Sequence, residues 1–406
     1  MKVFIKGLNS CAMRKQKLRQ YADFLVTNGH EVCCSAGDSD AIIVWTCAFR
    51  GDVRDNSLAE LKRYSQECAA NVIAAGCLPD IAPELLKDAF LGPVINWRDD
   101  REKMSAFFGT GKAGLDSVNS VYVERNLCED TERFRRENPD RDATFHDQFV
   151  QLLVSEGCGF KCSYCSERLM FPAYHSFPVD ALVNECRKVV EKSGKHEVIL
   201  LADSLGEYGR DIGSSLSSLM RELMTVHPGL RIALNNLNPA NFIQYFSDMV
   251  TFLEQGRIRH LNLPIQSASQ RMLKLMNRAY TRLDLDRVFA LLNDIGFVEF
   301  DTHIIVGFPG EREEDFDETI RFILRHRPKY VLVSRYMEAP EMPSAGLPDK
   351  VDRETMASRS EEALQRIKKA GIICNSDHSD IAKERLQRIN KNSCSKSVTN
   401  NDQEVC

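Results

Sequence analysis

From residue 146 onward the chain repeats one short pattern. The runs FVQLLVSEG, EVILLA, RIALNNL, HLNLPIQ, DTHIIVGF and YVLVSRY are strand-like, and helix-compatible stretches such as PVDALVNECRKVVEKSG and QRMLKLMNRAY separate them. Parallel strands need a crossover of a dozen or more residues, so this alternation predicts βαβ units. Six of them predict a partial (βα)6 barrel over residues 146–337, with its chemistry at the C-terminal ends of the strands. Residues 1–105 alternate in the same way (KVFIKG, RKQKLRQYADFLVTNG, DAIIVWT, NSLAELKRYSQECAA, NVIAAG), which predicts a small doubly wound parallel-sheet domain and an α/β protein overall. Residues 106–145 are polar and irregular and read as a linker. FGTGKAG within them spells GxGxxG at Gly109, Gly111 and Gly114, but no strand precedes it, so it reads as plain connection. The Pro-rich EAPEMPSAGLPDK introduces a short helical C-terminal extension (338–390), and residues 391–406 have the composition of a disordered tail.

A chain of 406 residues has room for two or three domains. No run approaches the roughly 20 apolar residues of a membrane span, and the apolar burst in MKVFIKGLNSC is too short for a signal peptide. The expectation is a cytoplasmic protein with no membrane partner. A net charge of −5 argues against a broadly basic nucleic-acid-binding face, although a local patch can sit inside an acidic total. Fourteen cysteines in a reducing compartment point to metal or catalysis before disulfides.

Three of those cysteines, Cys158, Cys162 and Cys165, lie in SEGCGFKCSYCSE, directly after the first barrel strand. A structural zinc site closes four ligands round the ion, whereas three thiolates on one short loop better fit an iron–sulfur cluster with one iron left open. Phe160 and Tyr164 between them either pack the loop or face a ligand. In the N-terminal domain Cys11 follows KVFIKG, Cys47 follows AIIVWT and Cys77 follows NVIAAG. The C-terminal ends of parallel strands share one edge, so these three thiols can converge too. Cys33, Cys34 and Cys68 read as small buried apolar residues. Cys394 and Cys406, in the tail, read as inert.

CGFKCSYC resembles the cluster loop of radical S-adenosylmethionine enzymes, and a second set of three cysteines makes the chain similar to the radical methylthiotransferases. The resemblance runs over most of residues 1–337 through TCAFRGDV, AAGCLPD, ADSLGEYGRD, LNLPIQSASQRMLKLMNRAYT and HIIVGFPGEREEDFDET. It implies two [4Fe–4S] clusters, one on Cys11, Cys47 and Cys77 and one on Cys158, Cys162 and Cys165. It implies S-adenosyl-L-methionine as cofactor, with Phe160, Tyr164, Asp203, Ser204 and Gln266 near it or the substrate. An electron donor such as flavodoxin or ferredoxin is implied as a partner. The implied reaction inserts a methylthio group at an unactivated C–H bond, and the resemblance assigns no catalytic side chain.

Several of these residues have a plainer reading. Asp203 can cap the next helix; Gly307 and Gly310 around Pro309 can shape a strand exit; Arg278 and Tyr280 can be an ordinary helix end; His303 can be a packed core histidine. EREEDFDE reads as a solvated helix start with its acids at the positive dipole end. The chain also departs from the family. SERLMFPAYHSFP replaces the usual segment beyond the cysteines, His303 stands where an aspartate is common, and Ala268 where glycine is usual. Residues 341–406 read helical and then disordered, where family members carry a TRAM barrel. The expected substrate is therefore a peptide or protein side chain, an aspartate-like β-carbon among the candidates. A transfer-RNA adenosine is the alternative, and a non-catalytic iron–sulfur carrier a third reading.

Overall fold

The run AIIVWT is apolar up to its last residue, as a strand covered on both faces must be, and all six residues are buried, with the Thr46 hydroxyl donating to the Ala75 carbonyl. It forms β3 (Ala41–Thr46) of a four-stranded, wholly parallel sheet with β1 (Lys2–Gly7), β2 (Glu31–Cys33) and β4 (Asn71–Gly76), in the order β2-β1-β3-β4. The computed structural model describes residues 1–7, 12–33, 35–48, 51–109, 111, 113–115, 149–171 and 173–376. They fall into two units, the first spanning Met1–Phe145 with Leu169–Pro172 and the second His146–Arg168 with Ala173–Ser379.

In the first unit α1 (Ala12–Thr27) follows β1, α2 (Gly51–Glu67) follows β3, and the short α3 (Leu78–Ile81) and α4 (Pro83–Ala89) follow β4. Trp45 of β3 anchors the core, edge-on to Tyr21 of α1 and to Trp97. Trp97 in turn meets Phe171 at 5.4 Å, and Arg14 lies over both of those rings. Met170 is fully buried in the same core. α5 (Asp100–Phe108) supplies Asp100, which pairs with Lys17 at 2.7 Å. The glycine-rich stretch after α5 folds back on this unit: Asn28 brackets Ala113 with two hydrogen bonds, and Gln20 donates to the Leu115 carbonyl.

The second unit is a seven-stranded, wholly parallel open sheet. Its strands are β5 (Val150–Leu153), β8 (Glu197–Leu201), β9 (Arg231–Leu234), β10 (Ile258–Asn262), β11 (Phe300–Val306), β12 (Tyr330–Arg335) and β13 (Ile373–Ser376), neighbours in that order. A two-residue antiparallel ribbon, β6 (Ser155–Glu156) with β7 (His175–Ser176), closes the loop after β5. The crossovers are α6 (Val179–Ser193), α7 (Leu216–Met224), α8 (Pro239–Gln244) with α9 (Phe246–Glu254), α10 (Gln270–Leu275) with α11 (Arg282–Ile295), and α12 (Glu313–His326). α13 (Arg353–Lys369) carries the chain from β12 to β13.

Six strands match the six units read from the sequence, and β13 adds a seventh. Along β11 burial alternates strictly, with Phe300, Thr302, Ile304 and Val306 buried and Asp301, His303 and Ile305 less so. Phe300 meets Phe289 of the helical layer, so the other set faces the concave side.

The acids of EREEDFDE open α12 as read, with Glu313 and Glu314 exposed in its first turn, but two of them are not solvated. Asp315 is buried and pairs with Arg271 while accepting from Ser269 Oγ at 2.6 Å, and Glu311 is buried against Arg359 at 2.9 Å. Their partners lie tens of residues away, which is why the run looks like surface in one dimension. The helix read from SDIAKERLQRINK and the tail lie outside the described residues.

Candidate active site

The loop carrying Cys158, Cys162 and Cys165 leaves the C-terminal end of β5, and the fold ties it down at both ends. Gly157 N–H donates to Asp203 Oδ2 at 2.9 Å and Gly159 N–H to Glu207 Oε2 at 2.7 Å, both from the segment after β8. Ser163 N–H donates to the Met276 carbonyl at 3.0 Å and its hydroxyl to the Leu275 carbonyl, while Asn277 donates to the Lys161 carbonyl. Ser344 N–H donates to the Ser163 carbonyl. A loop with so many fixed backbone groups presents its side chains in one arrangement, as a ligand set requires. Asp203 thus lies beneath the cysteine loop, while the cap position of the following turn belongs to Ser204.

Burial pushes the Cys158 thiol up to about 12, with Glu207 and Glu167 adding to it while the Phe160 amide and Ser204 oppose. Burial likewise holds Cys165 well above the ordinary thiol range, helped by Glu167 and Cys162. None of the three is in a disulfide. Thiols withdrawn from water in this way ionise when a cation arrives to take the charge. Among the described residues, no three His, Cys, Asp or Glu side chains close round a single ion. A cubane asks for something else, because each thiolate sits on a different iron and the sulfurs stand apart. An all-thiol donor set on a pinned loop, with no histidine among the donors, therefore fits an iron–sulfur cluster.

Tyr164 packs edge-on to Phe308 at 6.2 Å, and Phe308 forms a fully buried patch with Met272 and Met276. Arg278, just beyond α10, donates from Nη1 to Cys162 Sγ at 3.1 Å and to Tyr164 Oη at 3.2 Å. Its Nη2 donates to the Pro264 carbonyl, its Nε to Tyr280 Oη, and Tyr280 Oη donates to the Ile265 carbonyl at 2.6 Å. The helix-end reading of Arg278 and Tyr280 missed this reach, because nothing local in MNRAYT points to a loop more than a hundred residues earlier.

Gln266 sits at the exit of β10 with φ 64°, a left-handed conformation that costs a non-glycine residue of order 1 kcal/mol. The cost is met by exchange with β11: Gln266 N–H donates to the His303 carbonyl and Ile305 N–H to the Gln266 carbonyl. Ser204 is buried, with its hydroxyl beside the Cys158 thiol. Deeper in the concave face, Asn262 Nδ2 lies 2.6 Å from Asp301 Oδ1 and 3.2 Å from His303 Nε2, and His260 Nε2 is 3.5 Å from Asp301 Oδ2. Burial raises Asp301 to about 7 against the opposing pull of Asn262 and Lys329. His303 is thus a member of a polar cluster and not of an apolar core.

In the first unit the register pairs Thr46 with Gly76, so Cys47 and Cys77 are the next residues on adjacent parallel strands. Cys77 N–H donates to the Thr46 carbonyl at 2.9 Å, and Cys47 exchanges hydrogen bonds with the Ser57 hydroxyl. The strand order reverses between β1 and β3, the switch point where sheets of this kind bind ligands. Cys11 lies outside the described residues.

Residues 152–323 match the radical SAM superfamily and residues 2–93 the uncharacterized protein family UPF0004. A probable threonylcarbamoyladenosine tRNA methylthiotransferase of Pyrococcus horikoshii is 29% identical over 84% of this chain and 78% of its own length. The human threonylcarbamoyladenosine tRNA methylthiotransferase is 26% identical over 82% of this chain and 57% of its own. The ribosomal protein uS12 methylthiotransferase RimO of Geotalea uraniireducens is 26% identical over 84% and 76%. Among solved structures, the radical S-adenosylmethionine methyltransferase TsrM from Kitasatospora setae superposes with a TM-score of 0.58 at 14% identity, covering 85% of this chain and 77% of its own, a likeness of fold alone. With the cysteine loop at a strand end of the barrel and a second parallel sheet before it, these matches place the chain in the radical S-adenosylmethionine methylthiotransferase family, enzymes that use two [4Fe–4S] clusters and S-adenosylmethionine.

Proposed function

We propose that this methylthiotransferase acts on a threonylcarbamoyladenosine of transfer RNA. The observation that carries the reading is the extent of the relatives bearing that activity in their names: they align across both the sheet that holds Cys47 and Cys77 and the barrel that holds the cysteine loop. The expectation of a peptide rested on a C-terminal stretch that does not read as a TRAM barrel, on the altered segment beyond the cysteines and on a net charge of −5, and a total charge says little about one site. Beside the cysteine loop, Lys161 and Lys274 are exposed cations near where an RNA phosphate would approach. In this reading Cys158, Cys162 and Cys165 hold one cluster, and Cys11, Cys47 and Cys77 the other.

Bound there, the clusters and S-adenosylmethionine supply the radical and sulfur chemistry that no side chain provides. The chain's own work is to position. Asp203 and Glu207 hold the loop backbone, Tyr164 and Phe308 wall its apolar side, and Ser204 offers a buried hydroxyl beside Cys158. The polar cluster of His260, Asn262, Asp301 and His303 gives the concave face groups that can bind a polar substrate.

A second reading, a protein side chain, is favoured by the likeness to the ribosomal protein uS12 enzyme. Anaerobically reconstituted protein, given S-adenosylmethionine, a reductant, and either transfer RNA carrying threonylcarbamoyladenosine or ribosomal protein uS12, separates the two by mass spectrometry. The RNA is expected to gain the methylthio group and the protein not, with RNA binding that weakens steeply as salt rises. Modification of the protein alone, or RNA binding indifferent to salt, would reverse the assignment.

A further inference from the structure

Arg278 is a partly buried cation without a carboxylate. Its polar surroundings are Cys162, Tyr164, Tyr280 and the Pro264 carbonyl, and among the described residues no Asp or Glu stands within ion-pair distance. A guanidinium drawn out of bulk water is costly unless an anion faces it. Two neutral phenols and a carbonyl supply hydrogen bonds but no charge, which leaves the sulfur of Cys162 as the counter-anion. The guanidinium is also clamped, since Nε is held by Tyr280 Oη and Tyr280 is itself fixed to the Ile265 carbonyl at 2.6 Å.

We propose that Arg278 is a positioning residue that donates to the cluster-bound sulfur of Cys162 and sets how readily the barrel's iron–sulfur cluster accepts an electron. This rests on ligation by Cys158, Cys162 and Cys165 as read above. A [4Fe–4S] cluster on three thiolates is an anion, and one-electron reduction makes it more negative. A fixed cation and a hydrogen bond at one sulfur stabilise the reduced form more than the oxidised form, so they raise the reduction potential. Tyr280 holds the aim, and Tyr164 shares the same Nη1. A helix-end arginine with a packing role alone would stabilise the fold and leave the potential where it was.

The test uses the full chain with Cys47→Ala and Cys77→Ala, so that only the barrel cluster remains, reconstituted anaerobically and titrated with dithionite while electron paramagnetic resonance follows the reduced cluster. Into that parent go Arg278→Gln and Tyr280→Phe. At a fixed ambient potential Arg278→Gln is expected to lower the reduced-to-oxidised ratio about tenfold, equivalent to a 59 mV fall for a one-electron couple. Tyr280→Phe, which loosens the clamp and keeps the charge, is expected to lower it about threefold. If the variants hold as much iron as the parent and titrate within twofold of it, the role assigned to Arg278 is wrong. If Arg278→Gln takes up no iron, Tyr280→Phe decides by the same criterion. A parent that holds no iron would instead overturn the ligand assignment itself, so the two failures are told apart by iron analysis.

Discussion

His326, at the end of α12, packs between the rings of Phe289 and Phe322, and its buried Nε2 has no hydrogen-bond partner among the described residues. Burial pushes it down to about 4, and Arg325 and Arg282 add to the effect against Asp286. A depressed histidine is neutral in the fold while the unfolded chain takes up a proton near pH 6.5. Its contribution is therefore whole above pH 6.5 and lost as pH falls toward 4, about 3 kcal/mol in all. Melting the protein at pH 7.5 and pH 5, beside His326→Phe, should show the parent losing more of its melting temperature than the variant. Equal losses would mean that the group titrates normally. At this scale the cysteine loop was legible, because three thiols on one loop leave their spacing in the sequence. Arg278 was not, because its bond to Cys162 spans 116 residues and neither end signals the other.

At the scale of elements, alternation of apolar and helical-period runs gave the strands of both sheets, since each parallel strand must be covered on two faces by its own crossovers. What it could not give was β13, whose ICNS is too short and too polar to read as a strand until α13 delivers it beside β12. The burial of Glu311 and Asp315 after β11 was missed for the same reason, their arginines lying on α13 and α10. The junction of β3 and β4 makes an element-level prediction. Gly76 has φ +97°, and a Cβ there would stand 2.3 Å from the Thr46 carbonyl oxygen and 2.8 Å from its nitrogen. Gly76→Ala should cost the first unit about 2 kcal/mol and part Cys77 from Cys47. Iron analysis of reconstituted protein should then show loss of about half the iron, with the barrel's share retained; full iron at parental stability would show that the two strand ends need no such approach.

On the scale of the whole molecule, net charge carries little information about a substrate, because recognition is local and −5 is a sum over 406 residues. Among the described residues no helix is long and apolar enough to cross a membrane. The polar cluster of His260, Asn262 and His303 was the least legible feature, since only the sheet register gathers those side chains.

The short segment Leu169–Pro172 follows the cysteine loop in sequence yet belongs to the first unit, where Met170 is sealed from solvent and Phe171 lies against Trp97. Cutting the chain at residue 146 would thus not yield a tidy half. The severed piece would carry a greasy stub with nothing to cover it, and light scattering should find it self-associating until Met170 and Phe171 are exchanged for serine. A monodisperse, unaltered piece would show that those two side chains tolerate water after all.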